Sequence, residues 1–174
     1  QGVSTQGEID FSKITETSPM SGYAQVVRYE GLSYEVGPLA RAVLEGKTCE
    51  ISAWWRMCAR VEEIAVLVQK SVKILDEIDL SLPSYIPPTI DINTLTTESW
   101  GCVEAARGSL SHHVVVEQGV IVSYDMITPT VWNLGDKDEK CLGVCQEAMI
   151  GLSSVEEAMM VLRSFDVCAV CTTH

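Results

Sequence analysis

Between residues 50 and 78, apolar side chains return every three or four positions: Ile51, Trp54, Trp55, Cys58, Val61, Ile64, Ala65, Val68, Val72 and Leu75. That spacing predicts one long amphipathic helix. Its other face carries Arg56, Arg60, Glu62, Glu63, Lys70, Lys73, Asp76 and Glu77, which read as a solvated or intersubunit surface. A shorter helix is expected to open at Pro38, because Gly37 and Pro38 punctuate that stretch and proline suits a first helical turn. Residues 82–88 (Leu-Pro-Ser-Tyr-Ile-Pro-Pro) cannot prolong the long helix, since proline lacks the amide donor, and they read as a connector. Farther on, Val114-Val115-Val116 and Val120-Ile121-Val122 flank the turn-like Glu117-Gln118-Gly119, the pattern of a β-hairpin. Residues 147–150 and 154–163 read as helical, the second opening on Ser153 or Ser154 as N-cap ahead of Glu156 and Glu157. The first 27 residues are rich in Ser, Thr and Gly without a period. Residues 1–33 are therefore expected as an extended N-terminal strap on a body formed by 34–174. The fold class that follows is mainly α with a small β-hairpin, an α+β arrangement.

Composition narrows the function more than the fold. A chain of 174 residues that is 47% hydrophobic can bury a core, as one compact domain or as a contiguous piece of a larger one. Its net charge of −12, from 24 acidic and 12 basic side chains with no basic cluster, removes the attraction that drives nucleic-acid binding. The longest apolar runs, such as residues 64–68, fall far short of the roughly 20 residues a membrane-spanning helix needs. No charged segment precedes an apolar stretch at the start, so no address is legible. The cytoplasm is the default expectation, with membrane association or export coming through partners. The first residue is Gln rather than Met, which leaves the natural start open.

Seven cysteines at scattered spacing and in odd number do not read as a disulfide framework. Cys49, Cys58 and Cys102 read as packed core thiols, and Cys141 with Cys145 as a helix-face pair of buried thiols. The end of the chain differs. Residues 163–174 run Arg-Ser-Phe-Asp-Val-Cys-Ala-Val-Cys-Thr-Thr-His, placing Cys168 and Cys171 three apart and His174 three later. Two intervening residues let both sulfurs turn to one point, and deprotonated thiolates hold soft or borderline metals. By itself this cluster fits a redox dithiol, half of a zinc site, or a site for another metal.

That stretch resembles the C-terminal motif of nickel–iron hydrogenase large subunits, Asp-Pro-Cys-x-x-Cys-x-x-His. Three further stretches are similar to the same family in the same order. Residues 34–41 (Tyr-Glu-Val-Gly-Pro-Leu-Ala-Arg) match its segment of that sequence. Residues 104–112 (Glu-Ala-Ala-Arg-Gly-Ser-Leu-Ser-His) resemble its Glu-Ala-Pro-Arg-Gly-x-Leu-x-His. Residues 128–133 (Thr-Pro-Thr-Val-Trp-Asn) resemble its Val-Pro-Thr-Thr-Trp-Asn. The matches run from about Tyr34 to the last residue.

The resemblance implies the C-terminal part of the helical large-subunit fold and a set of roles. Cys168 would be a terminal thiolate on nickel, and Cys171 would bridge nickel and iron. Arg107 would hold its guanidinium over the open face of the metal pair, to orient or deprotonate dihydrogen. Pro129 and Thr130 would line the pocket for two cyanide ligands, and Leu110 would pack against the carbonyl ligand. The ring of His174 and the backbone carbonyl of Met126 would help to hold a magnesium ion. The implied reaction is reversible heterolytic cleavage of dihydrogen, with electrons leaving through iron–sulfur clusters of a partner small subunit. In the family a maturation endopeptidase cuts just after this His, so a chain ending at His174 would be the processed form. From the residues alone, Arg107 could instead pair with Glu104, and His112 and His113 read as structural.

The departures also carry information. Val167 and Ala106 stand where the family has Pro, and Val131 where it has Thr. No second Cys-x-x-Cys exists in the sequence, nor the glutamate the family carries beside it. The resemblance therefore implies a second large-subunit polypeptide that brings the other two thiolates. The competing reading is a non-catalytic zinc-binding or redox dithiol module built on Cys168, Cys171 and His174, with Cys141 and Cys145 as additional ligands.

Overall fold

The computed structural model describes residues 10–18, 25–48 and 50–168. Cys49, Cys171 and His174 lie outside them. After a short 3-10 turn, β1 (Ile14–Thr17) pairs antiparallel with β2 (Val26–Tyr29). Two helices follow, α1 (Pro38–Leu44) and α2 (Ala53–Glu77). Next comes an antiparallel sheet of β3 (Thr97–Ala105), β4 (Gly108–Glu117) and β5 (Val120–Ile127), in that order. The chain closes with α3 (Pro129–Leu134), α4 (Val144–Ala148) and α5 (Val155–Ser164). Helices plus small antiparallel sheets make the α+β class expected from the sequence. Among the described residues, no helix is long and apolar enough to cross a membrane.

Local chemistry explains most of these boundaries. Pro38 opens α1, and Ser52 caps α2 by accepting the Trp55 amide. At α5 the cap is Ser154, which accepts the Glu157 amide, while the Glu157 carboxylate reaches back to the Ser153 amide at 2.7 Å. The β4–β5 turn needs two residues at positive φ, and Gln118 and Gly119 supply them at 48° and 78°. The expected hairpin is thus present, but β3 extends it to three strands and β1–β2 form a second sheet. Pro83, Pro87 and Pro88 fall in the stretch between α2 and β3, which has no regular element.

Three apolar clusters hold these elements together. Val27, Val36, Ile127 and Trp132 join β2, β5 and α3 to the loop before α1. Leu39, Ala42 and Ala59 seal α1 onto α2. Cys145, Val161 and Phe165 join α4 to the end of α5. Arg28 is also buried, its charge met by Asp138 at 2.8 Å and by the Asp136 carbonyl at 2.9 Å.

One part of α2 corrects the sequence reading. The apolar row is mostly exposed, Trp54 72% and Leu75 70%, although Trp55 packs on the α1–α2 cluster. On the polar face Glu62, Lys70, Lys73, Asp76 and Glu77 are exposed as expected, whereas Arg56 is only 5% exposed. Arg56 tolerates burial because Nε and Nη2 each donate to the Glu35 carboxylate at 2.8 Å and the guanidinium lies 3.9 Å from the Phe165 ring centre. Removing one partner of such a buried pair costs about 3–5 kcal/mol, so the pair fixes Arg56 inward. On the same side Arg60 donates to the Ser164 carbonyl at 2.6 Å, and Glu63 accepts from Arg41. The first half of the polar face, through these three residues, therefore grips the end of α5 and the neighbourhood of α1.

Candidate functional site

Four stretches far apart in sequence meet at one place. The first is the turn between β3 and β4, which presents Arg107. A Cβ on Gly37 would lie 2.6 Å from the Arg107 carbonyl oxygen, and one on Gly108 would lie 2.6 Å from the Val36 side chain. Both residues have positive φ, so glycine serves the close approach and the backbone conformation together. The loop before α1 thereby lies directly on the turn. The loop is also tied to α3, because the Asn133 side chain accepts the Val36 amide and donates to the Val36 carbonyl, each at 3.0 Å.

Arg107 faces the end of α5. Its Nε donates to the Asp166 carbonyl at 2.8 Å and lies 3.1 Å from the Asp166 carboxylate. Asp166 adopts a left-handed φ of 54° where the helix ends, which turns the chain toward Cys168. Thr130, at the start of α3 and 4% exposed, then accepts the Cys168 amide on Oγ1 at 3.3 Å. That bond uses the hydroxyl oxygen as acceptor and leaves its proton for donation elsewhere. Val167 packs against the cluster of Cys145, Val161 and Phe165, so the three residues Asp166, Val167 and Cys168 are each anchored to a different element. The guanidinium opens onto a cavity of about 220 Å³ that Arg56, Arg60, Glu63 and Asp166 also line.

Of the residues singled out from sequence, the structure brings Arg107, Thr130 and Cys168 to this place, with Pro129 buried at the first turn of α3. Leu110 is half-buried on β4, paired with Val103, and β4 packs against α3. Met126 lies next to buried Ile127 near the end of β5, on the strand that leads into α3. The alternative pairing of Arg107 with Glu104 is not what forms, since Glu104 binds Arg41 at 2.6 Å. Asp166 was not assigned a role from the sequence. Its position two before Cys168, within the terminal motif, was the available signal.

The remaining thiols and histidines divide. Cys145 is buried in its apolar cluster, and burial pushes its thiol pKa up, which suits an inert core thiol. Cys141 lies before α4 rather than on it, its amide held by Asp138, so the two do not form a helix-face pair. Cys102 is exposed on β3, not packed in the core. His113 stacks on Trp100 and lies 2.8 Å from Glu98, and His112 meets the Tyr124 hydroxyl, contacts that knit the sheet. Among the described residues, no group of three or more His, Cys, Asp and Glu side chains is arranged to hold a metal.

Arg41 completes the neighbourhood. Its Nε and Nη2 grip the Glu63 carboxylate at 2.6 and 2.7 Å, and Nη1 reaches Glu104. Nη2 also donates to the Ala106 carbonyl at 3.1 Å, one residue before Arg107. Burial alone would lower the Arg41 pKa, but its bonds to Glu63 and Glu104 outweigh that and raise it, so the group stays charged.

Residues 46–174 match the family described as nickel-dependent hydrogenase. The coenzyme F420 hydrogenase subunit alpha of Methanothermobacter thermautotrophicus is 29% identical, over 96% of this chain and 41% of that protein. The Hydrogenase-1 large chain of Citrobacter freundii is 26% identical, over 96% of this chain and 34% of its own length. The solved Ni-Fe-Se hydrogenase of Desulfovibrio vulgaris Hildenborough superposes with a TM-score of 0.74 at 28% identity, covering 87% of this chain and 38% of that one. The chain thus spans well under half the length of these relatives, and it belongs to the nickel-dependent hydrogenase family, as part of the large-subunit fold.

Proposed function

We propose that this chain carries the C-terminal half of a nickel–iron centre and, with its partners, catalyses reversible heterolytic cleavage of dihydrogen. The observation that carries this reading is the convergence of the four family-like stretches through the contacts of Val36 with Asn133, Arg107 with Asp166, and Thr130 with Cys168. The donor chemistry fits the group. Cys168 is half-buried, with its amide held by the buried Thr130 hydroxyl, two residues after the Asp166 that pairs with Arg107.

Cys168 and Cys171 would hold the nickel–iron pair, and the Met126 carbonyl and His174 ring would help to hold magnesium. When bound, a nickel–iron pair with two cyanides and one carbonyl supplies the Lewis acidity and electron storage that dihydrogen activation needs. Thr130 and Pro129 would shape the pocket for the cyanides, and Leu110 would pack on the carbonyl side. Arg107, held by Asp166, would supply positive charge at the reacting face, and a guanidinium serves better there as an electrostatic group than as a base. The Cys168 thiolate or Arg107 would take the proton. The other two thiolates would come from the remaining part of the large subunit. The outward apolar residues of α2, including Val61, Ile64, Val68 and Val72, are the kind of surface that part would cover. Electrons would leave through iron–sulfur clusters in a small subunit.

Metal analysis of the native assembly tests the reading against its rival, the zinc or dithiol module. Nickel and iron in comparable amounts, with no stoichiometric zinc, is the expected result. Zinc alone would refute it.

A further inference from the structure

The geometry points to Arg41 as a positioning residue that sets the guanidinium of Arg107 by holding the two carbonyls that precede it. This inference rests on the hydrogenase reading only for the catalytic consequence. The hold itself is a matter of contacts. Arg41 stands on α1, Glu63 on α2 and Glu104 on β3, so one guanidinium joins three elements at the base of the turn. All three side chains are at most 25% exposed, which keeps water from competing freely for these bonds. The Ala105 and Ala106 carbonyls accept from the same guanidinium at 3.4 and 3.1 Å. Gly37, one turn before Arg41 at the start of α1, is pressed on the Arg107 carbonyl, so α1 holds the backbone of the turn at successive residues.

A planar fork is needed for this. A lysine ammonium is a point charge that cannot grip Glu63 with two parallel bonds and still reach Glu104 and a carbonyl. Arg41→Lys should therefore keep the charge and lose the geometry. A misplaced catalytic group costs on the order of 10- to 100-fold in turnover, so a loosened turn should be visible in the rate.

The test uses the full assembly and three readouts: metal content, amide hydrogen exchange over residues 105–108, and turnover. For Arg41→Lys we expect unchanged nickel content, exchange about tenfold faster at the turn, and turnover down on the order of 10- to 100-fold. Glu104→Gln, which removes one arm of the grip and leaves Glu63, should move exchange and rate in the same direction by less. In an Arg107→Lys background, adding Arg41→Lys should cost no more than about twofold further, because both changes act through one group. Equal losses in both backgrounds, unchanged exchange at the turn, or loss of nickel in Arg41→Lys would each overturn the proposal. If the unaltered assembly contains no nickel, the hydrogenase reading fails, while exchange at residues 105–108 still decides whether Arg41 holds the turn.

Discussion

Changing Cys168 to serine should remove nickel from the purified assembly and abolish dihydrogen turnover. A hydroxyl does not ionise near neutral pH, and an alcohol oxygen is a poor replacement for a soft thiolate. The backbone at this position is held independently of the side chain, by the Thr130 hydroxyl and by Asp166 two residues earlier. The chain should therefore still fold and present an oxygen where sulfur was. Nickel content by mass spectrometry of the purified complex is the measurement, with a fall of more than about tenfold expected for the loss of a charged ligand. Cys145→Ser is the control. That thiol sits in the apolar cluster of Val161 and Phe165, so a hydroxyl there should cost about 1–3 kcal/mol of stability while nickel remains. Equal nickel in wild type and Cys168→Ser would remove Cys168 from the centre.

Arg107→Lys should leave the metals in place and lower turnover by about 10²- to 10³-fold, the range seen when one preorganised electrostatic group is removed. The contacts with Asp166 run through Nε, so the carbonyl and carboxylate of Asp166 set the tilt of the guanidinium plane. Lysine has no Nε branch and cannot reproduce that orientation. Steady-state kinetics alongside nickel content separate the two possible failures. A rate loss at full nickel occupancy is the expected outcome, and full activity in Arg107→Lys would contradict the assigned role.

Much of this was legible in the sequence where a local rule had a local cause. The three-and-four spacing announced α2, Pro38 announced α1, Ser154 with Glu157 announced α5, and Gln118-Gly119 announced the β4–β5 turn. The rest depended on partners remote in sequence. β3 carries Trp, Gly, Cys and two Glu in nine residues, with no alternation to mark it, and exists because β4 pairs along its whole length. β2 is four residues long, yet Val26 and Val27 are its most buried side chains, which composition alone cannot announce.

The three partnered charges in the first half of α2 are the most instructive difference. An apolar stripe records that something covers it, not what, and a charge on a polar face can turn inward when it has a partner. Arg56 has Glu35 and Phe165, Arg60 has the Ser164 carbonyl, and Glu63 has Arg41. Those partners lie 21 to 109 positions away, beyond the reach of any periodicity. The site was legible for a different reason. Its four stretches resembled one family in order, and that resemblance named Arg107, Thr130 and Cys168 before geometry joined them. Asp166 stood within the terminal motif, but its pairing with Arg107 shows only once the two are side by side.

Infrared spectroscopy of the active assembly is the most direct test of the central claim. Sharp absorptions from one carbonyl and two cyanides bound to iron, present in the unaltered protein and lost with the metals in Cys168→Ser, are what the account predicts. Dihydrogen turnover by material that lacks those absorptions would contradict it.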